Sequence, residues 1–144
     1  MDTILLLEDD AANLQGIAEV LRSEQYSVLE ASTGLQAFET GKDCGPISIF
    51  VTDMDLPHSS GTDIALKLVA LYPSLPVLFI SGTPMVWWTS HDVSNFKQFA
   101  PNRVDFIEKP FSVSLLLMRV RNLIGRDSLP GAVGLLATRP YPRA

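Results

Sequence analysis

The chain predicts an α/β fold, a doubly wound sheet of five parallel strands with helices on both faces. Three observations carry that expectation. Short apolar runs such as Ile4–Leu7, Ile49–Val51 and Val77–Ile80 are continuous rather than alternating, as in strands covered on both sides. Between them lie stretches whose apolar residues recur at helical spacing. Strand and helix then alternate five times with connections of a few residues, the arrangement that builds a parallel sheet.

Taken in order, Ile4–Leu7 is the first strand and ends in Glu8-Asp9-Asp10. From Asn13, the residues Leu14, Ile17, Ala18 and Leu21 share one helical face, with Glu19, Arg22 and Glu24 between them, so a helix is expected to about Gln25. Ser27–Ala31 reads as a second strand. Thr33-Gly34 opens a short helix carrying Leu35 and Phe38, which Gly41 is expected to end. The third strand lies within Ile47–Pro57 and is broken by Leu56-Pro57, because proline has no donor for a ladder. A loop from Pro57 to Gly61 leads into a helix over Asp63–Leu71, with Ile64, Leu68 and Leu71 on one face and Pro73 and Pro76 bracketing its exit. Val77–Ile80 is the fourth strand, ending in Ser81-Gly82-Thr83. The stretch from Pro84 to Pro101 is less regular, with Trp87-Trp88 ahead of a helix through Val93, Phe96 and Phe99. Val104–Ile107 is the fifth strand, before Glu108-Lys109-Pro110, and Val113–Ile124 is a last apolar helix closing at Gly125. Residues 1–125 are therefore expected to form one domain. Residues 126–144 read as a C-terminal tail without a separate output domain, apolar enough at Leu129, Val133, Leu135 and Leu136 to dock in part on the body.

A chain of 144 residues is long enough for one domain with a real core. Its 47% hydrophobic content and formal charge of −5 describe an acidic soluble protein. That balance argues against direct DNA binding, which needs a basic face. Cys44 is the sole cysteine, which rules out an intrachain disulfide and a cysteine-based metal cluster; it is expected to be a small, half-buried apolar side chain. No apolar run approaches the ~20 residues of a membrane span, and the first residues lead straight into a strand rather than a signal peptide. A cytoplasmic location, away from membranes, is the expectation.

Asp53 stands where the third strand ends. Alone it fits a turn or helix cap as well as a site in the crevice outside the strand ends, where open α/β sheets bind ligands. The other strand ends decide between these. Glu8 and Asp9, Ser81 and Lys109 also follow strands, and in a parallel sheet all these ends lie on one edge. Carboxylates packed there would repel and raise one another's pKa unless a cation joined them. A hard divalent ion such as Mg²⁺ suits an all-oxygen set and keeps several waters, so few protein ligands are needed. Lys109 adds a mobile point charge and Ser81 a hydroxyl. Together these are the parts for transfer of a phosphoryl group to a carboxylate.

This set closely resembles the receiver domain of two-component response regulators, through LLLEDD, VTDMDLP, the downstream Gly61, FISG and FIEKPF in that order from Ile4 to about Ile124. The resemblance implies a flavodoxin-like, CheY-like fold with strand order 2-1-3-4-5. It implies a signalling module rather than an enzyme, one that assists only its own phosphorylation and slow dephosphorylation. Asp53 would accept a phosphoryl group from a histidine kinase or a histidine phosphotransfer protein. Asp9, Asp53 and the backbone carbonyl of Asp55 would ligate Mg²⁺ directly, and Glu8 would act through a metal-bound water. Lys109 would pair with Asp53 and then with the phosphoryl oxygens. Ser81 would swing in to the phosphoryl group and leave room for Phe106, the switch aromatic, to turn inward. Lys109-Pro110 would be a cis bond. The module would act alone in a phosphorelay. It would signal to a downstream target, or form a homodimer, through the face of the fourth helix, fifth strand and fifth helix.

Two features depart from the family pattern. The span from Ser81 to Lys109 is long and PMVWWTSHDV is unlike the usual acidic helix there, so the fourth helix is expected to start late or be displaced. Phe106 lacks a hydroxyl, so it has no hydrogen bond to exchange between states. Trp87 and Trp88 are expected to anchor an irregular loop with at least one ring partly buried; the competing reading is a partner-binding patch. His58 is expected to be solvated, Phe96 and Phe99 to be core, and Asp10 and Asp55 to present surface carboxylates. Two other functions compete. Asp53-Met54-Asp55 matches the DxD of haloacid-dehalogenase-type phosphatases, although their motif lies on the first strand. The chain could also serve as a receiver-like scaffold that binds partners without phosphate.

Overall fold

The computed structural model describes residues 1–128; the tail expected over 126–144 lies outside them apart from its first residues. Five parallel strands form one sheet: β1 (Thr3–Leu7), β2 (Ser27–Ala31), β3 (Ile49–Asp53), β4 (Val77–Ser81) and β5 (Val104–Glu108), in the order 2-1-3-4-5. All four pairings are parallel and keep the strand ends level: Leu7 lies beside Thr52, Asp53 beside Ile80, and Ser81 beside Glu108. The helices are α1 (Ala11–Ser23), α2 (Gly34–Asp43), α3 (Gly61–Leu71), α4 (Ser90–Phe96) and α5 (Val113–Ser128). Among the described residues no helix is long and apolar enough to cross a membrane.

Period-two alternation divides the sheet's side chains between two cores. Ile4, Leu6, Ile49, Val51, Leu78, Ile80 and Ile107 pack beneath α1 and α5, against Ile17, Leu21, Leu116 and Val120. Leu5, Leu7, Phe50, Val77, Phe79 and Val104 face the other way, towards Ile64, Ala65 and Leu68 of α3 and the rings of Trp88 and Phe99. Both faces are dry, which is why these strands read as unbroken apolar runs.

The helix boundaries differ from the expected ones in instructive ways. Asp10 is exposed as expected, and its carboxylate has a further role: it accepts the Asn13 N–H at 2.9 Å and caps α1. Gly41 does not end α2 but sits inside it, where a Cβ would come within 2.6 Å of the Leu68 side chain, so this glycine permits close helix packing. Chain reversal falls instead to Gly45, at φ 80°. Cys44, expected to be half buried, is exposed because it caps the end of α2 at the surface. The expected loop after β3 contains a small antiparallel hairpin pairing Asp55 with Ser60 and Leu56 with Ser59. The last helix runs on to Ser128 rather than closing at Gly125.

The segment after β4 departs most. A 3₁₀ turn over Met85–Trp87 precedes α4, which begins at Ser90 and spans only seven residues, so Phe99 lies beyond the helix though it is buried. Trp88 is 9% exposed and Trp87 is 74% exposed, one ring inside and its neighbour outside.

Candidate functional site

Each strand end is carried one residue further by a backbone hydrogen bond to its neighbour. The Glu8 N–H donates to the Ala31 carbonyl at 3.1 Å, Met54 N–H to Ile80 at 2.8 Å and Lys109 N–H to Ser81 at 2.8 Å. Glu8, Asp53 and Lys109 are thereby fixed on one edge. All three have the strand parity of Ile4, Val51 and Ile107, so they belong to the α1–α5 face. The Lys109–Pro110 peptide that follows is cis.

Glu8, Asp9 and Asp53 each offer a carboxylate oxygen within 4.8 Å of the others. Glu8 and Asp53 are buried, whereas Asp9 is exposed and opens the group to solvent. The Lys109 ammonium bridges two of the acids, lying 3.1 Å from Asp53 Oδ2 and 3.4 Å from Glu8 Oε1. The other oxygens are only lightly held: the Asp55 N–H donates to Asp53 Oδ1 at 3.3 Å and the Asp10 N–H to Glu8 Oε2 at 3.2 Å.

One cation does not neutralise this group. Burial, then the neighbouring charge of Asp53, push the Glu8 carboxyl up to about 7, against the opposing pull of the Asp10 N–H and Lys109. Asp55 is also raised, by burial first and then by Asp53 and Asp92. Burial alone would lower Lys109, but its hydrogen bonds and charge contacts with Asp53 and Glu8 outweigh that and raise it. An excess of acid over base, all oxygen donors, one side open to water: the residues present fit a hard divalent cation.

Gly61 packs directly against the end of β3, beneath Asp53. Its N–H donates to the Met54 carbonyl at 2.9 Å, and a Cβ there would run into the Asp53 carbonyl oxygen. The hairpin turn between them presents His58, which is exposed as expected.

The remaining two expected residues lie on the other side of the sheet. Ser81 has the parity of Val77 and Phe79 and is fully buried, and Phe106 packs against that same core. The Ser81 hydroxyl donates to the Thr83 carbonyl at 2.6 Å and accepts the Thr83 N–H at 3.1 Å. It also accepts the Trp88 indole N–H at 3.1 Å. Trp88 in turn meets Phe106 edge-on at 5.0 Å and Phe96 at 5.3 Å. One tryptophan buried in an irregular loop matches the expectation; its partner, Ser81, is not legible because a turn rather than a periodic element separates the two residues.

A polar network between α3 and α4 has no counterpart in the sequence pattern. Asp92, on α4, accepts the hydroxyls of Ser60 at 2.5 Å and Thr62 at 2.8 Å, while Asn95 donates to Thr62 at 3.0 Å and to Asp63 at 2.8 Å. Asp92, Asn95 and Thr62 are buried, so the start of α3, just past Asp53, is joined to α4 through a dry polar seam.

Comparisons with known proteins agree with this geometry. Residues 4–121 match the response regulator receiver domain family. The transcriptional regulatory protein CreB of Escherichia coli strain K12 is 29% identical over 125 residues, covering 87% of this chain and 52% of CreB. The sensor kinase CckA of Brucella abortus is 29% identical over 126 residues, covering 87% of this chain but 13% of CckA. Among solved structures, a response regulator receiver protein from Sinorhizobium medicae superposes with a TM-score of 0.75 at 29% identity, covering 86% of this chain and 94% of that one. The chain thus spans about half the length of a regulator such as CreB and a small part of a kinase such as CckA.

Proposed function

The chain belongs to the response regulator receiver domain family, and from that premise we propose that Asp53 accepts a phosphoryl group from a phosphohistidine and that the acyl phosphate so formed switches a partner-binding face. The observation that carries this reading is the convergence of Glu8, Asp9 and Asp53 with one ammonium, Lys109, touching two of the acids.

The chemistry follows from the residues. A carboxylate oxygen of Asp53 attacks phosphorus in line with the departing nitrogen. The P–N bond breaks, its electron pair leaves with the imidazole, and an acyl phosphate forms. Lys109, 3.1 Å from Asp53 Oδ2, is placed to transfer its hydrogen bond from the carboxylate to a phosphoryl oxygen, and it keeps Glu8 as its second partner. Glu8, Asp9, Asp53 and the Asp55 carbonyl would hold Mg²⁺, which when bound supplies neutralisation of charge on the phosphoryl oxygens. Gly61 lets the start of α3 pack against the Asp53 backbone, where any Cβ would run into the Asp53 carbonyl.

The kinship with the receiver segment of a sensor kinase supports a histidine kinase or phosphotransfer protein as the donor. The exposed Val86 and Trp87 beside β4 support an output face that includes the segment before α4, together with β5 and α5. Family membership removes the support for the phosphatase reading of Asp53 and Asp55. Incubation with acetyl phosphate and Mg²⁺, followed by intact-mass spectrometry, tests the assignment. Wild type should gain one phosphoryl group and Asp53→Asn none; equal labelling of the variant would refute it.

A further inference from the structure

Ser81 and Asp53 belong to opposite faces of the sheet, yet the resemblance to receiver domains implies that the Ser81 hydroxyl reaches the phosphoryl group. What the Ser81 hydroxyl does at rest is therefore decisive. A serine hydroxyl has one donor and two acceptor sites. Here all are used: the donor on the Thr83 carbonyl, the acceptors on the Thr83 N–H and on Trp88 Nε1. The hydroxyl has nothing left to offer Asp53 until it gives these up.

The indole is not an incidental partner. Trp88 Nε1 also lies 3.2 Å from the Thr83 carbonyl, so its N–H is shared between two acceptors, one of which does not depend on Ser81. Its ring fills the space beside Ser81, edge-on to both Phe106 and Phe96. The backbone beneath it is fixed as well. Thr89 caps α4 through the Asp92 N–H at 3.1 Å, and Asp92 is bound to Ser60 and Thr62 at the start of α3. Trp88 thus sits on an anchored root, with its N–H on the Ser81 hydroxyl and its ring edge-to-face with Phe106. Phe106 cannot turn towards Ser81 while the indole is there.

We propose that Trp88 is the positioning residue of the switch: its indole N–H holds the Ser81 hydroxyl on the face away from Asp53, and phosphorylation requires Ser81 to leave that bond while Trp88 transfers its N–H wholly to the Thr83 carbonyl. The exchange leaves the buried indole N–H paired, because its second acceptor is already within reach, and the Thr83 N–H, on an exposed residue, passes from Ser81 to water. It also makes the indole, rather than Phe106 alone, the group whose movement follows the state of Asp53. This inference rests on the reading of Asp53 as phosphoacceptor and Ser81 as its hydrogen-bonding partner.

The test uses beryllofluoride, which stands in for the phosphoryl group, with Mg²⁺. Trp88→Phe keeps a ring against Phe106 but removes the N–H. It should bind beryllofluoride roughly threefold more tightly than wild type, the low end of one hydrogen bond's worth because Thr83 shares that N–H. Its affinity for Mg²⁺ alone should be unchanged, which a general loosening of the fold would not give. In a Ser81→Ala background the same substitution should have no effect on beryllofluoride binding. Leu71→Ala, at the exposed far end of α3, is the control and should behave as wild type. In unmutated protein, the Trp88 indole N–H resonance should shift on beryllofluoride binding, giving a readout that needs no variant to fold. Equal affinity of Trp88→Phe and wild type, a gain that survives in Ser81→Ala, or an unmoved Trp88 resonance would each overturn the role of Trp88. Failure of wild type to bind beryllofluoride at all would instead refute the phosphoacceptor reading, and this inference with it.

Discussion

Replacing Glu8 by glutamine should make the metal-free protein more stable at alkaline pH and change little at acid pH. Glu8 is 2% exposed, and its carboxyl is pushed from an ordinary value of 4.5 to about 7, chiefly by burial. Below pH 4.5 the group is protonated in both folded and unfolded chains and contributes no pH dependence. Between pH 4.5 and 7 the folded protein keeps a proton that the unfolded chain has lost, so stability falls as pH rises, and the loss is complete above 7. A shift of that size corresponds to a ceiling of about 3 kcal/mol, reduced towards 1–2 kcal/mol if Lys109 and Asp53 rearrange around the new charge. Glutamine has the same shape and no titration, so its stability curve lacks this slope. Urea unfolding in the presence of a chelator, from pH 5 to 8.5, should show Glu8→Gln gaining on wild type by that amount. Added Mg²⁺ should close the gap at the alkaline end, because ionised Glu8 is the form that assists a cation. Parallel curves for the two proteins across this range would refute the argument that burial holds Glu8 up.

Two glycines should respond in opposite directions. Gly61→Ala puts a methyl against the Asp53 carbonyl oxygen and should cost about 1–3 kcal/mol while slowing phosphorylation; Gly16→Ala, on an open face of α1, should gain about 0.5–1 kcal/mol, both read by thermal or urea unfolding. Asp92→Ala removes the buried acceptor of the Ser60 and Thr62 hydroxyls and should cost about 2–4 kcal/mol, with Asp92→Asn costing less because an amide oxygen still accepts. A loss below about 0.5 kcal/mol for Asp92→Ala would mean that the seam between α3 and α4 does not contribute to stability.

The sheet and the acidic edge were legible for a local reason. A buried parallel strand is an unbroken apolar run, and a polar residue at its end stands out against that background: Asp53 after IFVT, Ser81 after VLFI, Lys109 two residues after Ile107. Parallel register then brings Glu8, Asp53 and Lys109 to one edge with no further information. What stayed hidden depends on contacts with no period. Gly41 looks like a helix stop because glycine usually is one; its actual role is set by Leu68, a partner far along the chain. Asp92 resembles any acid near a helix start, and its burial follows from two hydroxyls on α3. The Trp87-Trp88 pair announces that one ring matters, but only the fold decides that Trp88 goes in and Trp87 stays out. The two-residue hairpin at Asp55–Leu56 was too short to leave any alternation to read.

The alternation of side chains across β3, β4 and β5 has a consequence for how such a chain can vary. Glu8, Asp53 and Lys109 sit on one side of the sheet and the aromatic cluster of Phe79, Trp88, Phe96 and Phe106 on the other. On the proposed function, replacing Phe79, Phe96 or Phe106 alters what the protein says without touching the residues that receive the phosphoryl group, since these rings share no face with Glu8, Asp53 or Lys109; Trp88 is the exception, because it also holds Ser81. Ser81 joins the two: its backbone carbonyl accepts the Lys109 N–H within the sheet, and its hydroxyl holds the indole. Under the proposed function, descendants of this chain would acquire new listeners while keeping the same donor as long as Ser81 keeps both contacts.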